Sequence, residues 1–202
     1  MGSETSKTRS LLLDIVERLM LREGYAAVGV RRVAREAGVT PALIHYYFRT
    51  LDDLFLAVLR RRADQEFEAH TRALKSGRLV RTLWDYNRIP AGAALTMEFM
   101  ALANHRKVIR SEFARNAERF RETQMQALGG YLKERGIEPD DLPPAALAVL
   151  ISMIPRTLVL EDALGLTAGH AETLTFIERC IQAIDDRPAE EGQDPAGHGA
   201  PA

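Results

Sequence analysis

The segment from Thr40 to Thr50 concentrates side chains that can bind phosphate oxygens or the edges of bases. Hydroxyl, imidazole and guanidinium groups donate to phosphate, and small apolar groups such as Ala42 or Leu43 pack on a thymine methyl. The candidate DNA contacts are Arg31, Arg32, Thr40, Pro41, Ala42, Leu43, His45, Tyr46, Tyr47, Arg49 and Thr50. No Arg, Asn or Gln lies within 41–48. We therefore expect backbone positioning and DNA shape to contribute much of the specificity.

Two short helices are predicted to position these side chains, one over Val30–Ala37 and one from Pro41 to about Phe48. Gly38 suits the positive φ of the turn between them. Thr40 can cap the second helix, and Pro41 suits its first position. The residues expected to face inward are Val33, Ala37, Val39, Ile44 and Tyr47. Such a helix-turn-helix places its second helix in the major groove of DNA.

Residues 8–55 resemble the N-terminal domain of the TetR family of transcriptional regulators. The matching residues are Gly24-Tyr25, Val33-Ala34, Ala37-Gly38-Val39-Thr40, Ile44, Tyr46-Tyr47-Phe48 and Asp52-Asp53-Leu54. The resemblance implies a homodimeric regulator, most often a repressor, that leaves its operator when a small-molecule effector binds the C-terminal domain. Three positions depart from the family pattern: Gly29 replaces a capping hydroxyl residue, His45 a tyrosine, and Leu51 a lysine whose role Arg49 can share.

Composition indicates a globular chain with one cationic region. Of its 202 residues, 46% are hydrophobic, and the formal net charge is −1. That balance excludes a nonspecific nucleic-acid coat protein, but residues 1–50 carry an excess of three positive charges, which suits docking to DNA through one face. The single cysteine, Cys180, excludes an internal disulfide and a cysteine-based zinc cluster.

Hydrophobic periodicity predicts an all-α fold, and the composition of residues 186–202 predicts a disordered tail. The resemblance implies that residues 1–50 form a three-helix DNA-binding domain and residues 51–185 a larger helical effector-binding and dimerisation domain. After the first domain the expected helices are about 51–75, 79–87, 91–105, 107–134, 143–164 with a kink at Pro155, and 171–184. No apolar run approaches about 20 residues and no signal-peptide pattern opens the chain. We therefore expect a cytoplasmic protein without a membrane partner.

Large adaptable side chains beside isolated polar groups mark the middle helices as a candidate ligand pocket. The candidate ligand contacts are Trp84, Met97, Glu98, Met100, Asn104, Phe113, Phe120 and Met153, with Arg156 nearby. Taken one by one, such residues are more often plain core, and the existence of a pocket rests mainly on the resemblance. Glu98 could bind a cationic ligand or pair with Arg106 or Arg110.

The segment 145–159 is apolar on nearly every face, so it must be buried in its own core or against a second copy of the chain. In the family the last two helices of each protomer form a four-helix dimer interface, and the resemblance implies the same here. The candidate interface residues are Val149, Met153, Phe176, Ile177, Cys180, Ile181 and Ile184. A purely intramolecular core is the alternative.

Three classes of function fit a helix-turn-helix. The ligand-responsive regulator is favoured, and a regulator controlled by a protein partner is the alternative. A DNA-processing enzyme would need a nucleophile or clustered carboxylates, and no Ser/His/Asp, HExxH or P-loop pattern occurs in the sequence. We therefore expect operator DNA and a small-molecule effector as partners, with no catalytic residue, metal or cofactor.

Overall fold

The computed structural model describes residues 2–189, with side chains from residue 7 onward. Within that range the chain is helical and has no strand, which confirms the predicted fold class. A 3-10 turn, Tyr25–Ala27, follows the first helix. The α-helices are α1 (Gly2–Glu23), α2 (Val30–Ala37), α3 (Pro41–Tyr47), α4 (Leu51–Ala73), α5 (Leu79–Asn87), α6 (Pro90–His105), α7 (Lys107–Lys133), α8 (Pro144–Ala163) and α9 (His170–Asp185). Residues 190–202 of the predicted tail lie outside the described residues.

Local capping determines where the helices of the N-terminal region begin and end. Gly38 has a φ of 66°, and its N–H donates to carbonyls of the last turn of α2. The Thr40 hydroxyl accepts from the Leu43 N–H at 3.4 Å and so begins α3. At the start of α4, Thr50 and Asp53 cap each other's backbone N–H groups at 3.1 and 3.0 Å. The predicted turn and both caps are therefore present.

The first hydrophobic core joins α1, α2 and α3 to the N-terminal half of α4 and to α6. Its buried side chains include Leu12, Val16, Val33, Ile44, Phe48, Leu54, Phe55, Leu95, Phe99 and Leu102. The core thus continues across the domain boundary placed at residue 50, which stays a prediction. Because α6 packs on α1 and on the 3-10 turn before α2, a shift of α6 would disturb that packing.

A second core, formed by α5, α7, α8 and α9, includes Leu83, Trp84, Leu128, Ile151 and Ile181. The buried carboxylate of Asp185, at the end of α9, forms hydrogen bonds with the start of α5. It accepts from the backbone N–H groups of Val80 at 3.2 Å and Arg81 at 2.9 Å, and from the Tyr131 hydroxyl at 2.8 Å. Burial, together with this hydrogen bond, raises the pKa of Tyr131 to about 12.

Helix α8 has one buried and one exposed apolar face. Leu147, Ala148, Ile151, Ser152 and Pro155 are buried, and the helix continues through the proline. The opposite face exposes Val149, Leu150 and Met153. By length and composition α8 is apolar enough to cross a bilayer, with a mean hydropathy of 1.5. Core helices of other proteins meet the same criterion.

Candidate DNA interface and ligand cavity

The outer face of α3 is free to meet a partner. Thr40, Pro41, Ala42, His45 and Tyr46 are exposed, and Tyr46 retains 76% of its accessible surface. Ile44 is buried on the opposite face. Leu43 lies half-buried at the edge of the exposed face.

Tyr47 packs inward, as its spacing predicts. Its ring contacts the first core and lies edge-on to Tyr46, with the ring centroids 5.3 Å apart. Leu51 is also half-buried against this core. Leu51, which stands in place of the lysine that is usual in the family, therefore adds apolar packing where a cation would face DNA. Arg49 and Thr50, which precede it, are exposed.

Arg31 and Arg32, both predicted to contact phosphate, differ in their partners within the chain. Arg31 is exposed, and among the described residues it has no ion-pair partner. The Arg32 guanidinium binds Glu23 at 2.6 Å and Glu36 at 3.3 Å. The hydrogen bond to Glu23 raises the pKa of Arg32 despite some opposing desolvation. Arg32 is thus paired within the chain, whereas the Arg31 guanidinium is available to a partner.

A cavity of about 110 Å³ lies among α4, α5, α6, α7 and α8. Its apolar wall includes Leu59, Leu95, Phe99, Phe113 and Phe120. Its polar wall includes Arg62, Glu66, His70, Tyr86, Asn87, Thr96, Asn116, Arg121, Gln124, Ser152 and Arg156. A smaller space of about 50 Å³ shares several of these residues and reaches Ile89 and Gly92.

Several buried polar atoms of this cavity have no hydrogen-bond partner within the described part of the chain. They are Arg62 Nε, His70 Nε2, Asn87 Oδ1 and Asn116 Nδ2. Burial, helped by the nearby charge of Arg156, lowers the pKa of His70, so its imidazole is neutral near pH 7. Unsatisfied groups that line one space are the pattern expected of a binding site.

Helix α6 connects this cavity to the helix-turn-helix. Leu95, Thr96 and Phe99 line the cavity, while the carboxylate of Glu98 accepts the Tyr25 backbone N–H at 2.6 Å. The adjoining Gly24 has a φ of 81°, and a Cβ there would lie 3.4 Å from Glu98 Oε2. The positive φ therefore favours glycine where the carboxylate meets the turn before α2.

The helix-turn-helix has relatives in sequence. Residues 12–58 match the family model described as bacterial regulatory proteins, tetR family. The regulator BetI of Rhizobium meliloti is 40% identical over 52 residues, 26% of each chain. BetI of Brucella anthropi is 42% identical over 59 residues, 29% of this chain and 30% of that one. The N-terminal domain belongs to the TetR family. The matched part of the chain spans less than a third of these relatives.

Solved structures extend the likeness to the fold of the whole chain. A TetR transcription regulator from Haloarcula marismortui aligns with a TM-score of 0.69 at 20% identity, over 92% of this chain and 100% of that one. A transcriptional regulator from Saccharomonospora viridis, solved in complex with choline, aligns with a TM-score of 0.71 at 21% identity, over 90% and 95% of the two chains. The helical C-terminal region thus shares the fold of these solved structures.

Two of the eight predicted ligand contacts, Phe113 and Phe120, line the cavity of this TetR-like fold. Trp84 is buried in the second core, and Met97, Met100, Asn104 and Met153 are exposed. The Glu98 carboxylate accepts the Tyr25 backbone N–H and pairs with neither of the two arginines suggested for it. Arg106 pairs with Asp52, and Arg110 donates to the carbonyls of Ala103 and Asn104. Helix periodicity alone did not distinguish the cavity face from the other faces.

The cavity residues that the sequence reasoning missed are mostly polar, including Arg62, Glu66, His70, Tyr86, Asn116 and Gln124. The sequence did contain a signal for Arg156. It is the single charged residue within the apolar stretch 145–159, where a buried charge most needs a function or a partner.

The predicted dimer residues divide between two environments. Val149, Met153 and Phe176 are exposed, at 38%, 48% and 57%. Ile181 is buried in the second core, and Ile177 and Ile184 pack against that core. Cys180 is half-buried. The three isoleucines face their own chain because the inner face of α9 covers α5, so the exposed stripe of α8 and Phe176 remain for a partner.

Proposed function

We propose that this chain is a homodimeric transcriptional regulator that represses from an operator and is released when a small molecule binds the cavity. The observation that carries the proposal is the exposed face of α3 within a TetR-family domain. Such a helix fits the major groove, and phosphate contacts from Arg31 and Arg49 would orient it. The regulator would act in the cytoplasm, where its DNA lies.

Dimerisation is supported by the apolar side chains on the outer face of α8. Ala146, Val149, Leu150 and Met153 recur at helical spacing and are exposed. An apolar stripe of this kind is commonly covered by a partner. A second copy would also present a second α3 to the other half of a symmetric operator, about 34 Å away.

Release is supported by the geometry of α6. A ligand that displaces Phe99 or Leu95 must also move Glu98 on the same helix, and with it the turn before α2. Ligand binding would then favour a dimer geometry in which the two α3 helices no longer match their half-sites. The Saccharomonospora viridis protein, solved with choline, is a precedent for a small molecule held by this fold.

The decisive experiment is a binding titration with the DNA upstream of the protein's own gene. Fluorescence anisotropy would compare that duplex with a shuffled duplex of the same length and base composition at one fixed salt concentration. We expect tighter binding to the upstream DNA by at least about a thousandfold at a true operator. Equal affinity for both duplexes would contradict the proposal.

A further inference from the structure

We propose that the cavity binds an organic anion, a compact carboxylate with a small apolar body, and that Arg156 and Arg121 anchor its charge. The inference rests on the proposed effector role of the cavity and names the chemical class of the effector. It is independent of which DNA the protein recognises.

The charges that line the cavity do not balance. Three guanidinium groups, those of Arg62, Arg121 and Arg156, face one carboxylate, that of Glu66. Arg62 binds Glu66 at 3.1 Å and also Glu17, which lies outside the cavity wall, at 3.6 Å. Three guanidinium groups against two carboxylates still leave one net positive charge. Arg121 and Arg156 form no hydrogen bond or ion pair through their side chains with the residues described here. An anion is thus the ligand that would complete the site.

An unpaired guanidinium that is partly withdrawn from water is costly, and an anionic ligand removes that cost. Burial lowers the pKa of Arg156, against the opposing attraction of Glu66. Burial likewise raises the pKa of Glu66, against the attraction of Arg62 and Arg156. A carboxylate offers up to about four acceptor sites to such donors.

Other unsatisfied donors lie beside these arginines. Asn116 Nδ2 and Arg62 Nε are buried without a partner. His70 Nε2 is likewise unpartnered and can donate or accept according to its tautomer. Asn87 Oδ1 is an orphan acceptor, because the amide nitrogen of Asn87 donates to the Leu83 carbonyl at 2.8 Å. A ligand with one carboxylate and one further donor group would satisfy both kinds of atom.

The apolar part of the ligand must be small. The cavity measures about 110 Å³, and Phe99, Phe113 and Phe120 form much of its apolar wall. An engineered cavity of about 150 Å³ with an apolar lining accepts benzene. Because the present cavity is smaller than that one, the expected body of the ligand is a short branched chain or at most a single ring.

A cationic ligand is disfavoured by the same charges. Aromatic rings can attract a cation, and one protein of this fold was solved with choline. In this chain, however, such a ligand would approach Arg121 and Arg156 and would meet a carboxylate already bound by Arg62. The repulsion is strongest where water is excluded.

The test uses four probes: benzoate, benzamide, benzylamine and choline. Thermal shift and titration calorimetry would be run on the full-length protein and on the Arg156→Met, Arg121→Met and Arg156→Lys variants. Arg72→Met is the matched control, since Arg72 is an exposed arginine of α4 outside the cavity. We expect benzoate alone to raise the melting temperature of the unmodified protein.

Arg156→Met and Arg121→Met should each weaken benzoate binding roughly ten- to a hundredfold. Arg156→Lys should weaken benzoate binding less, and the control Arg72→Met should leave it unchanged. Circular dichroism melts would verify that each variant is folded. If a methionine variant does not fold, Arg156→Lys, which keeps the positive charge, would be compared with the unmodified protein instead.

The proposal is overturned if benzoate produces no shift, if benzylamine or choline binds as well as benzoate, or if both methionine variants bind benzoate normally. Failure of the regulator proposal would show separately, as loss of operator preference in the unliganded protein.

Discussion

Neighbouring side chains on the DNA-binding face have different capacities for binding, because their partners within the chain differ. Arg31 is exposed, whereas Arg32 is held by Glu23 and Glu36. Tyr46 is exposed, whereas Tyr47 packs inward. A residue's type therefore states what it can bind, and its local partners decide whether it is available.

Replacing Tyr46 with alanine should weaken operator binding about fivefold, because one hydrogen bond to phosphate or base is worth about 1 kcal/mol. The melting temperature should not change, since the side chain is largely exposed and makes no contact with the core. Tyr46→Phe keeps the ring and removes only the hydroxyl, so it measures the contribution of the hydroxyl. Unchanged affinity of Tyr46→Ala in a gel-shift titration would remove this residue from the interface.

The two arginines provide a matched pair for the electrostatic part of binding. Arg31→Ala should reduce the slope of log affinity against log salt by about 1, the value of one phosphate contact. Arg32→Ala should leave the slope nearly unchanged, because its charge is compensated by Glu23 and Glu36. Anisotropy titrations at several salt concentrations measure both slopes. Equal reductions would show that Arg32 exchanges its internal partners for phosphate.

At the scale of helices, a few polar contacts connect elements that are far apart in sequence. Glu98 connects α6 to the turn before α2, and Arg106 at the end of α6 pairs with Asp52 of α4. Asp185 caps the start of α5 from the end of α9. Under the proposed function, the contacts of Glu98 and Arg106 would transmit a change in the cavity to the DNA-binding helices.

Glu98→Ala should separate ligand binding from DNA release. Loss of the bond to the Tyr25 N–H should cost about 1.5–3 kcal/mol of stability, the usual range for a hydrogen bond to a charged group. Ligand affinity should stay normal, since Glu98 does not line the cavity. The effect of ligand on operator affinity should shrink. Glu98→Gln, which retains an acceptor, is the control, and full ligand response in Glu98→Ala would exclude this route.

His170 at the start of α9 should make the junction of α8 and α9 sensitive to pH. Its ring nitrogens contact Glu161 at 2.8 Å and Asp162 at 3.0 Å, and the hydrogen bond to Glu161 is the main cause of a raised pKa. A raised folded-state pKa means that the stabilisation is complete below about pH 6.5 and is lost as pH rises through the folded-state value.

Thermal melts from about pH 6 to about pH 9 would compare the unmodified protein with His170→Gln, and the difference between the two melting temperatures should decrease as pH increases. A difference that is constant with pH would contradict protonation of His170 as its source.

For the whole molecule, the exposed apolar stripe of α8 and the spacing of operator half-sites both favour a pair of chains. Met153→Glu would bury a carboxylate in the proposed interface and should raise the dimer dissociation constant at least about a hundredfold. Val108→Glu is the control, because Val108 is an equally exposed apolar residue of α7 outside the stripe. Sedimentation equilibrium measures both. A monomeric unmodified protein, or a dimer unaffected by Met153→Glu, would contradict the interface.

The sequence by itself determined the features that depend on residues close together in the chain. The turn at Gly38, the cap at Thr40 and the reciprocal caps of Thr50 and Asp53 each involve residues no more than a few positions apart, so backbone geometry and side-chain type suffice to predict them. The helix bounds followed for the same reason, within about one turn.

Tertiary structure decided which helix faces meet. The cavity gathers residues from five helices, and Trp84, Met97 and Glu98 differ from their neighbours only in the direction that each helix presents them. Helical spacing predicts that two residues share a face, but it does not predict which other helix covers that face. The pairing of Arg62 with Glu66 is an i,i+4 contact within α4 and so depends on local spacing. The position of Arg156 at the cavity, without a side-chain partner among the described residues, depends on the packing of α8 against α4 and α7.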